Sequence, residues 1–241
     1  MNKLELLNQL IKESNNIVFF GGAGVSTASG IKDFRSKDGL YNETYKYPPE
    51  EILSHTFFIN HKEDFYQFYR NKLNCLNAKP NICHKYLTKL EQSGQLKVII
   101  TQNIDNLHQK AGSKNILELH GSIYRNYCTS CHKFYPPEKI FNENNIPICT
   151  CGNIIKPDVI LYEEPLNEEV IYQTIQAITH ADLLLVVGTS LTVYPASSFI
   201  RYFKGKNLVI INRDTTPLDN LANLIITGDI KQVFSYLDKN S

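Results

Sequence analysis

The stretch "IVFFGGAGVSTASG", residues 17–30, begins as an apolar run, turns through glycines and continues towards a helix. Gly22 and Gly24 allow a tight turn and a close approach of the backbone to a ligand. The free N–H groups at the start of the next helix suit a pyrophosphate, and Ser26 or Thr27 is expected to cap that helix. The stretch therefore predicts a strand–turn–helix unit that binds a nucleotide, although an ordinary βα turn also uses glycine for its geometry.

Two common kinds of nucleotide site are excluded by the residues after this turn. A P-loop is excluded because no Gly-Lys-Ser/Thr follows. A standard dinucleotide fold has a second strand with an acidic end about 20 residues later, but this chain has "LYNETYKYPP" at 40–49. A dinucleotide must therefore be held differently, and Asn212, at the end of the apolar run "NLVIIN", is a candidate ribose contact.

Short apolar runs alternate with helical patterns along most of the chain. The runs are 17–20, 97–100, 116–119, 182–187, 207–211 and 224–227. The helical patterns are an amphipathic N-terminal segment and roughly 81–93, 167–179, 196–204 and 229–238. This alternation predicts an α/β fold, a Rossmann-like parallel sheet with helices on both faces.

Two regions interrupt this alternation and are expected to form a small additional domain. Residues 36–75 lack strand patterns, are rich in Tyr and Phe, and read as a helical insertion. Residues 122–157 hold a cysteine cluster and show little periodicity. The Rossmann-like part is then approximately 1–35, 76–121 and 158–241, within one domain of 241 residues.

Four of the six cysteines form two close pairs, Cys128 with Cys131 and Cys149 with Cys151, separated by 17 residues. Such a spacing predicts a ribbon with four thiolates around Zn²⁺ rather than free cysteines. Because four protein ligands close the coordination shell, the zinc is expected to be structural. His132 is the less favoured ligand.

The overall composition is that of an ordinary globular protein. The net charge is +1, from 25 basic and 24 acidic residues, which gives no sign of nucleic-acid or membrane binding. The N-terminal segment reads as a helix rather than a signal peptide, and no run approaches the roughly 18–20 apolar residues of a membrane span. We expect a cytoplasmic protein, and nothing in the sequence demands more than a monomer.

Polar side chains follow two of the predicted strands. The stretch "TQNIDNLHQKAG" (101–112) presents Gln102, Asn103 and Asp105 after one strand, and "ELHGS" (118–122) presents His120 after the next. These side chains share the carboxyl edge of the sheet with the glycine turn, so we expect them to face the nucleotide. An imidazole titrates near neutral pH, which suits His120 as a general base. His108 is expected to orient the turn.

These stretches together make the chain resemble the sirtuins of bacterial type, NAD-dependent protein-lysine deacetylases. The resemblance rests on "GAGVSTASGIKDFRS" (22–36), the two polar stretches, the cysteine pairs, "KPDVILYEE" (156–164), "GTSLTVYPA" (188–196), "IN" (211–212) and "TGDI" (227–230). These motifs occur in the family's order and extend over residues 21–230.

The resemblance implies a set of site residues. The catalytic residues would be His120, as general base, with Asn103 and Asp105. Val159, Ile160 and Tyr162 would pair with an acetylated peptide. NAD would be bound as co-substrate by Gly22, Ala23, Gly24, Thr27, Asp33, Phe34, Arg35, Gln102, Asn103, Ile104, Asp105, His120, Gly188, Thr189, Ser190, Asn212, Asp229 and Ile230.

The implied reaction begins when the acyl oxygen of the substrate lysine attacks C1′ of the nicotinamide ribose and nicotinamide leaves. His120 takes a proton from a ribose hydroxyl, and water then completes the release of lysine and O-acetyl-ADP-ribose. The chain departs from the family pattern at Lys32, where proline is usual, and at Glu163, where glycine is common. Neither departure removes a catalytic group.

Other activities remain open at this point. Protein ADP-ribosylation shares the cleavage of NAD, and a non-catalytic NAD sensor would not need His120. A zinc-containing dehydrogenase would need a usual dinucleotide fingerprint and an open metal site, neither of which the sequence shows. Sirtuins that remove acidic acyl groups carry a Tyr and an Arg in the helical insertion. Here Tyr69 and Lys72 stand at those positions by spacing, and a lysine in place of the arginine predicts a preference for acetyl or another uncharged group. The alternative is that both residues only pack the insertion against the sheet.

Overall fold

In the computed structural model of the protein, the structure describes residues 2–33, 39 and 45–240. The strands are β1 Ile17–Gly21, β2 Leu96–Thr101, β3 Ile116–Glu118, β4 Gly121–Cys128, β5 Phe134–Tyr135, β6 Ile155–Val159, β7 Leu183–Val187, β8 Asn207–Asn212 and β9 Leu224–Thr227. The α-helices are α1 Lys3–Glu13, α2 Pro49–Ile52, α3 His55–Asn60, α4 Lys62–Leu73, α5 Ile82–Gln92, α6 Leu107–Ala111, α7 Glu138–Phe141, α8 Glu168–His180 and α9 Ile230–Asn240.

Six parallel strands form the larger sheet, in the order β3-β2-β1-β7-β8-β9. They are the six apolar runs of the sequence, so the predicted parallel sheet is confirmed. If only the strands of this sheet are numbered, their order is 3-2-1-4-5-6, which is that of a Rossmann fold. In this order the chain builds one half of the sheet outward from β1 and then returns to build the other half outward from β7. That point, between β1 and β7, is where ligands collect in open α/β sheets.

The central strands are apolar because both of their faces are covered. All five residues of β1 and all five of β7 are buried. Ile17 and Phe19 point into one core, while Val18 and Phe20 point into the other. This alternation follows from the two-residue repeat of a strand, and it explains why the runs are continuously apolar rather than alternating.

The helices lie on both faces of this sheet, as predicted. The first core is closed by α1, α5 and α9, which contribute the buried residues Leu7, Leu87 and Phe234 among others. The second is closed by α8 and a 3-10 helix, Ala196–Tyr202. The helical pattern at 196–204 thus forms a tighter helix than expected.

The smaller domain joins the helical insertion to the cysteine module through a single core. Its antiparallel sheet has the order β5-β4-β6. The aromatic side chains of α3 and α4 pack in the same cluster as Cys128 and Cys149. The Tyr66 hydroxyl in α4 donates to the carbonyl of Ile155 at 2.7 Å, and Nε of Arg70 donates to the carbonyl of Ile140 at 2.7 Å. The predicted pairing of a zinc ribbon with a helical insertion is therefore confirmed.

The helix after the glycine turn differs from the expectation. It is a 3-10 helix, Ala23–Ser29, whose N-cap is Gly22, with no side-chain cap. Ser26 and Thr27 lie inside it, so neither can reach the first free N–H groups. The Thr27 hydroxyl instead donates back to the carbonyl of Gly24 at 3.0 Å.

None of the helices in the described part of the chain is both long and apolar enough to cross a bilayer.

Candidate functional site

The glycine turn after β1 meets the loop after β7 through backbone contact. The N–H of Gly24 donates to the carbonyl of Gly188 at 2.8 Å. A Cβ on Gly24 would lie 2.8 Å from the Cα of Gly188, and Gly188 has φ +62. A side chain on either residue would force the loops apart. The contact between the loops therefore requires these glycines, whether or not a ligand is bound. Together the two loops form the floor of a cleft at the switch point of the sheet.

A buried carboxylate lies beside this floor. Asp105 is 5% exposed, and its Oδ2 accepts a hydrogen bond from the Ser26 hydroxyl at 2.6 Å. Its Oδ1 accepts from the N–H of Leu107 at 2.9 Å. Burial raises the pKa of Asp105, and the hydrogen bonds from Ser26 and Leu107 oppose that rise. The carboxylate is thus held in one orientation from two sides.

Asn103 connects this carboxylate network to the glycine turn. Its Nδ2 donates to the carbonyl of Gly22 and to the Ser26 hydroxyl, both at 3.1 Å. Ser26 is therefore the centre of the network, a role that the local sequence does not indicate. Its partner Asp105 is 79 residues away in the chain, so only the fold reveals the pairing.

A second set of contacts orders the adjacent loop. Nε2 of Gln102 donates to the hydroxyl of Thr189 at 3.0 Å. Nδ2 of Asn212 donates to the carbonyl of Thr189 at 3.1 Å. The ends of β2 and β8, which the sequence predicted to lie at one edge, are thus joined through the loop that follows β7.

His120 is fixed in one tautomer by the backbone. Its Nδ1 lies 2.9 Å from the carbonyl oxygen of Gln102. Because a carbonyl can only accept, Nδ1 carries the proton, and Nε2 of the neutral ring keeps its lone pair. Burial lowers the pKa of His120, and the hydrogen bond to the Gln102 carbonyl opposes this. At neutral pH the ring is therefore uncharged and able to accept a proton.

These groups line one cavity of about 1160 Å³ between the large sheet and the smaller domain. This volume exceeds the roughly 300–1,000 Å³ of a typical small-molecule site, so it has room for a dinucleotide and part of a second reactant. The sequence-predicted residues that line it are Gly22, Ala23, Gly24, Thr27, Asp33, Gln102, Asn103, Ile104, Asp105, His120, Val159, Ile160, Tyr162, Gly188, Thr189, Ser190, Asn212, Asp229 and Ile230. Phe34 and Arg35 lie outside the described residues.

The segment predicted to contact a peptide forms one wall of the cavity. The N–H of Ile160 donates to the carbonyl of His120 at 3.0 Å. Below it, Arg125 pairs with Glu118 at 2.6 Å and with Asp158 at 2.7 Å. This ion-pair cluster, which the sequence pattern does not indicate, ties the strand before His120 to β6. The imidazole and the wall are thereby held in a fixed relation.

Only one of the two residues considered for acyl recognition lies at the cavity. Tyr69 is fully buried in the smaller domain, where its ring stacks on Phe65 and Phe141. Lys72 lines the cavity, and its Nζ lies 5.2 Å from the ring centroid of Tyr45. Tyr69 therefore does not line the cavity beside Lys72, because its side chain is buried in the core of the smaller domain.

His108 does not orient the turn through a hydrogen bond. Both of its ring nitrogens are buried without a hydrogen-bond partner among the described residues. Its ring meets His84 edge-on, with the ring centroids 4.7 Å apart. Burial lowers the pKa of His108 far below its ordinary value and that of His84 to about 4. The pair is thus an uncharged part of the core.

The four clustered cysteines lie close enough together to hold one metal ion. Their sulfur atoms all lie within 4.8 Å of one another, and the sulfurs of Cys128 and Cys151 are 3.4 Å apart. Zinc–sulfur bonds of about 2.3 Å place tetrahedral sulfurs about 3.8 Å apart. The hydroxyl of Tyr135 donates to the sulfur of Cys149 at 3.0 Å, as expected beside a thiolate. The donor set fits a closed, structural Zn²⁺ site.

The fold and the cavity together define a Rossmann-type nucleotide-binding protein with a separate cysteine module. Residues 22–195 match the Sir2 family. The chain is 54% identical over 237 residues to an NAD-dependent protein deacetylase of Clostridium acetobutylicum, covering 97% of each chain. It is 55% identical over 236 residues to one of Clostridium perfringens, covering 96% of this chain and 97% of the relative. The chain belongs to the Sir2 family, the sirtuins, as its motifs predicted.

Solved Sir2 structures agree with this assignment over the whole fold. One, with a deacetylated p53 peptide and 3′-O-acetyl ADP ribose, superposes with a TM-score of 0.91 at 36% identity, covering 100% of this chain and 99% of that one. Another, with a p53 peptide and NAD⁺, has a TM-score of 0.87 at 37% identity, covering 100% and 98%.

Proposed function

We propose that the protein removes acetyl groups from lysine side chains of proteins, using NAD as co-substrate and producing nicotinamide and O-acetyl-ADP-ribose. The observation that carries this proposal is His120, an uncharged imidazole held in one tautomer in the same cavity as the glycine turn. The names of the curated relatives support the same activity.

In this proposal, the residues at the ends of the sheet strands bind different parts of NAD. The glycine turn and Thr189 bind the nucleotide, and Asn212 the adenosine ribose. Asn103 and Asp105 hold the nicotinamide ribose, where a fixed carboxylate stabilises the positive charge that develops as nicotinamide leaves. His120 Nε2 accepts a proton from a ribose hydroxyl.

The peptide is proposed to lie along Val159, Ile160 and Tyr162, extending the wall of the cavity by strand addition. The zinc is proposed to be structural: the four cysteines would hold it and keep the smaller domain folded. We further propose that the protein is cytoplasmic and that it is a monomer; light scattering on the purified chain tests the oligomeric state.

The defining experiment combines an acetyl-lysine peptide, NAD and the purified protein. We expect deacetylated peptide, nicotinamide and O-acetyl-ADP-ribose in equal amounts by mass spectrometry. Loss of acetyl without consumption of NAD would refute the proposal. Nicotinamide release with ADP-ribose attached to protein would favour the transferase activity instead.

A preference for uncharged acyl groups follows from the position of Tyr69. Because that hydroxyl is buried, it is not available to bind an acyl carboxylate beside Lys72, and a lysine cannot make the two-pronged contact of arginine. We propose that acetyl-lysine is turned over faster than succinyl-lysine in matched peptides. A kcat/KM for succinyl-lysine equal to or above that for acetyl-lysine would overturn this.

A further inference from the structure

Glu163 has a backbone conformation that non-glycine residues rarely adopt. Its φ is +74, in the left-handed region, where a Cβ crowds the backbone. The residue directly follows Tyr162 in the wall of the cavity and itself lines that cavity. A residue held in such a conformation needs contacts elsewhere to keep it there.

Those contacts come from the start of α3 in the smaller domain. Oε2 of Glu163 accepts a hydrogen bond from the N–H of Thr56 at 2.8 Å. The backbone of Tyr162 pairs with the same stretch: its N–H donates to the carbonyl of Leu53, and its carbonyl accepts from the N–H of His55, both at 2.9 Å. The Glu163 side chain thus continues the pairing by one more residue.

The neighbouring acid strengthens this junction from the other side. Glu164 lies 2.9 Å from Nδ1 of His55 and 3.0 Å from Nζ of Lys156. It also accepts from the N–H of Leu161 at 2.9 Å. The carboxylate of Glu164 is therefore occupied by contacts within the protein. The hydrogen bond to Thr56 lowers the pKa of Glu163, so its carboxylate is ionised at neutral pH.

We propose that Glu163 is a positioning residue for the acetylated peptide, which locks the wall Ile160–Tyr162 to α3 before the substrate binds. This rests on the proposed function, in which the peptide lies along that wall. A wall ordered in advance removes an ordering cost that would otherwise weaken peptide binding. The positive φ turns the chain so that the carboxylate reaches α3 while Tyr162 stays at the cavity.

Two other roles predict different measurements. If Glu163 only caps α3, its loss changes thermal stability and leaves the peptide KM unchanged. If its negative charge recognises basic residues of the substrate, Gln at this position is as harmful as Ala, and only for basic peptides. Positioning requires the hydrogen-bond acceptor and not the charge, so Gln should restore function.

The experiment compares wild type with Glu163→Ala, Glu163→Gly and Glu163→Gln at saturating NAD. We expect Ala and Gly to raise the acetyl-peptide KM about fivefold, equivalent to about 1 kcal/mol, with kcat and the KM for NAD within about twofold of wild type. Gln should stay within about twofold in all three. Glu163→Gly should unfold at a higher temperature than Glu163→Ala, because glycine tolerates the positive φ, yet bind peptide no better.

The matched control is Asn2→Ala, which removes a helix-capping hydrogen bond to Glu5 far from the cavity. It should lower stability without changing the peptide KM. If the wild type is active and Glu163→Ala leaves the peptide KM unchanged, this inference is wrong and the proposed function stands. The same conclusion follows if the Gln variant fails only with basic peptides. A wild type without NAD-dependent turnover overturns the proposed function, and this inference with it.

Discussion

Replacing Ser26 by alanine tests the polar network at the floor of the cavity. The Ser26 hydroxyl is buried and gives Asp105 its shortest hydrogen bond, at 2.6 Å. In Ser26→Ala the ionised carboxylate loses this donor and keeps the N–H of Leu107, its own backbone N–H and the nearby charge of Lys110. A hydrogen bond to a charged group contributes about 1.5–3 kcal/mol, so we expect a loss of about 2–3 kcal/mol in the free energy of unfolding.

For a chain of this size, 1 kcal/mol shifts Tm by about 2–4 °C, so Tm should fall by about 5–10 °C. The penalty falls on the ionised form of Asp105. Burial already places the pKa of Asp105 above its ordinary value, and losing Ser26 raises it further. The destabilisation should therefore be largest at neutral pH and shrink as the pH falls and Asp105 becomes protonated in the folded protein.

The assay is chemical unfolding of wild type and variant at neutral and at acidic pH, with nicotinamide release measured in parallel. Ser29→Ala is the matched control: Ser29 lies in the same 3-10 helix, but its hydroxyl accepts from a neutral amide, Nδ2 of Asn81, at 2.9 Å. The kcat/KM for NAD should fall about tenfold in Ser26→Ala, equivalent to about 1.4 kcal/mol. Equal destabilisation of the two variants would refute the reasoning.

Three further predictions concern other parts of the molecule. His120→Ala should abolish deacetylation while the fold and the zinc content survive, and a normal turnover in the variant would contradict this. In the wild type, kcat/KM should rise with pH through a pKa below 6.5, because burial lowers the pKa of His120. Elemental analysis should find one Zn²⁺ per chain, and chelation should unfold the smaller domain because metal binding there is coupled to folding; activity unchanged after complete removal of zinc would refute the site. The buried pair His84 and His108 should make the protein lose stability as the pH falls from about 6.5 to about 4, since the unfolded chain takes up protons that the folded chain excludes. Replacing both histidines by asparagine should flatten the dependence of the free energy of unfolding on pH. An unchanged slope in the double variant would show that this pair does not cause the loss of stability.

The strands were predictable because each is buried on both faces, which leaves a continuous apolar run that a local pattern detects. Polar residues at the ends of those runs, such as Gln102 and His120, were predictable because parallel strands end at one edge. Ser26 was not, because its partner is remote in the chain and serine at a turn usually indicates a cap. The sequence left open whether Tyr69 lines the site or packs in a core, because spacing along a helix gives the face on which a residue lies but not what that face meets.

The contact between Gly24 and Gly188 also limits how this protein can be redesigned. Since the two loops meet with no side chain between them, neither Gly24 nor Gly188 can be given a side chain without forcing the loops apart. A variant with altered cofactor preference must therefore be sought at other positions that line the cavity, such as Asn212 and Asp229. Directed-evolution libraries that leave the two glycines fixed will lose little useful diversity. They will also contain far fewer unfolded variants.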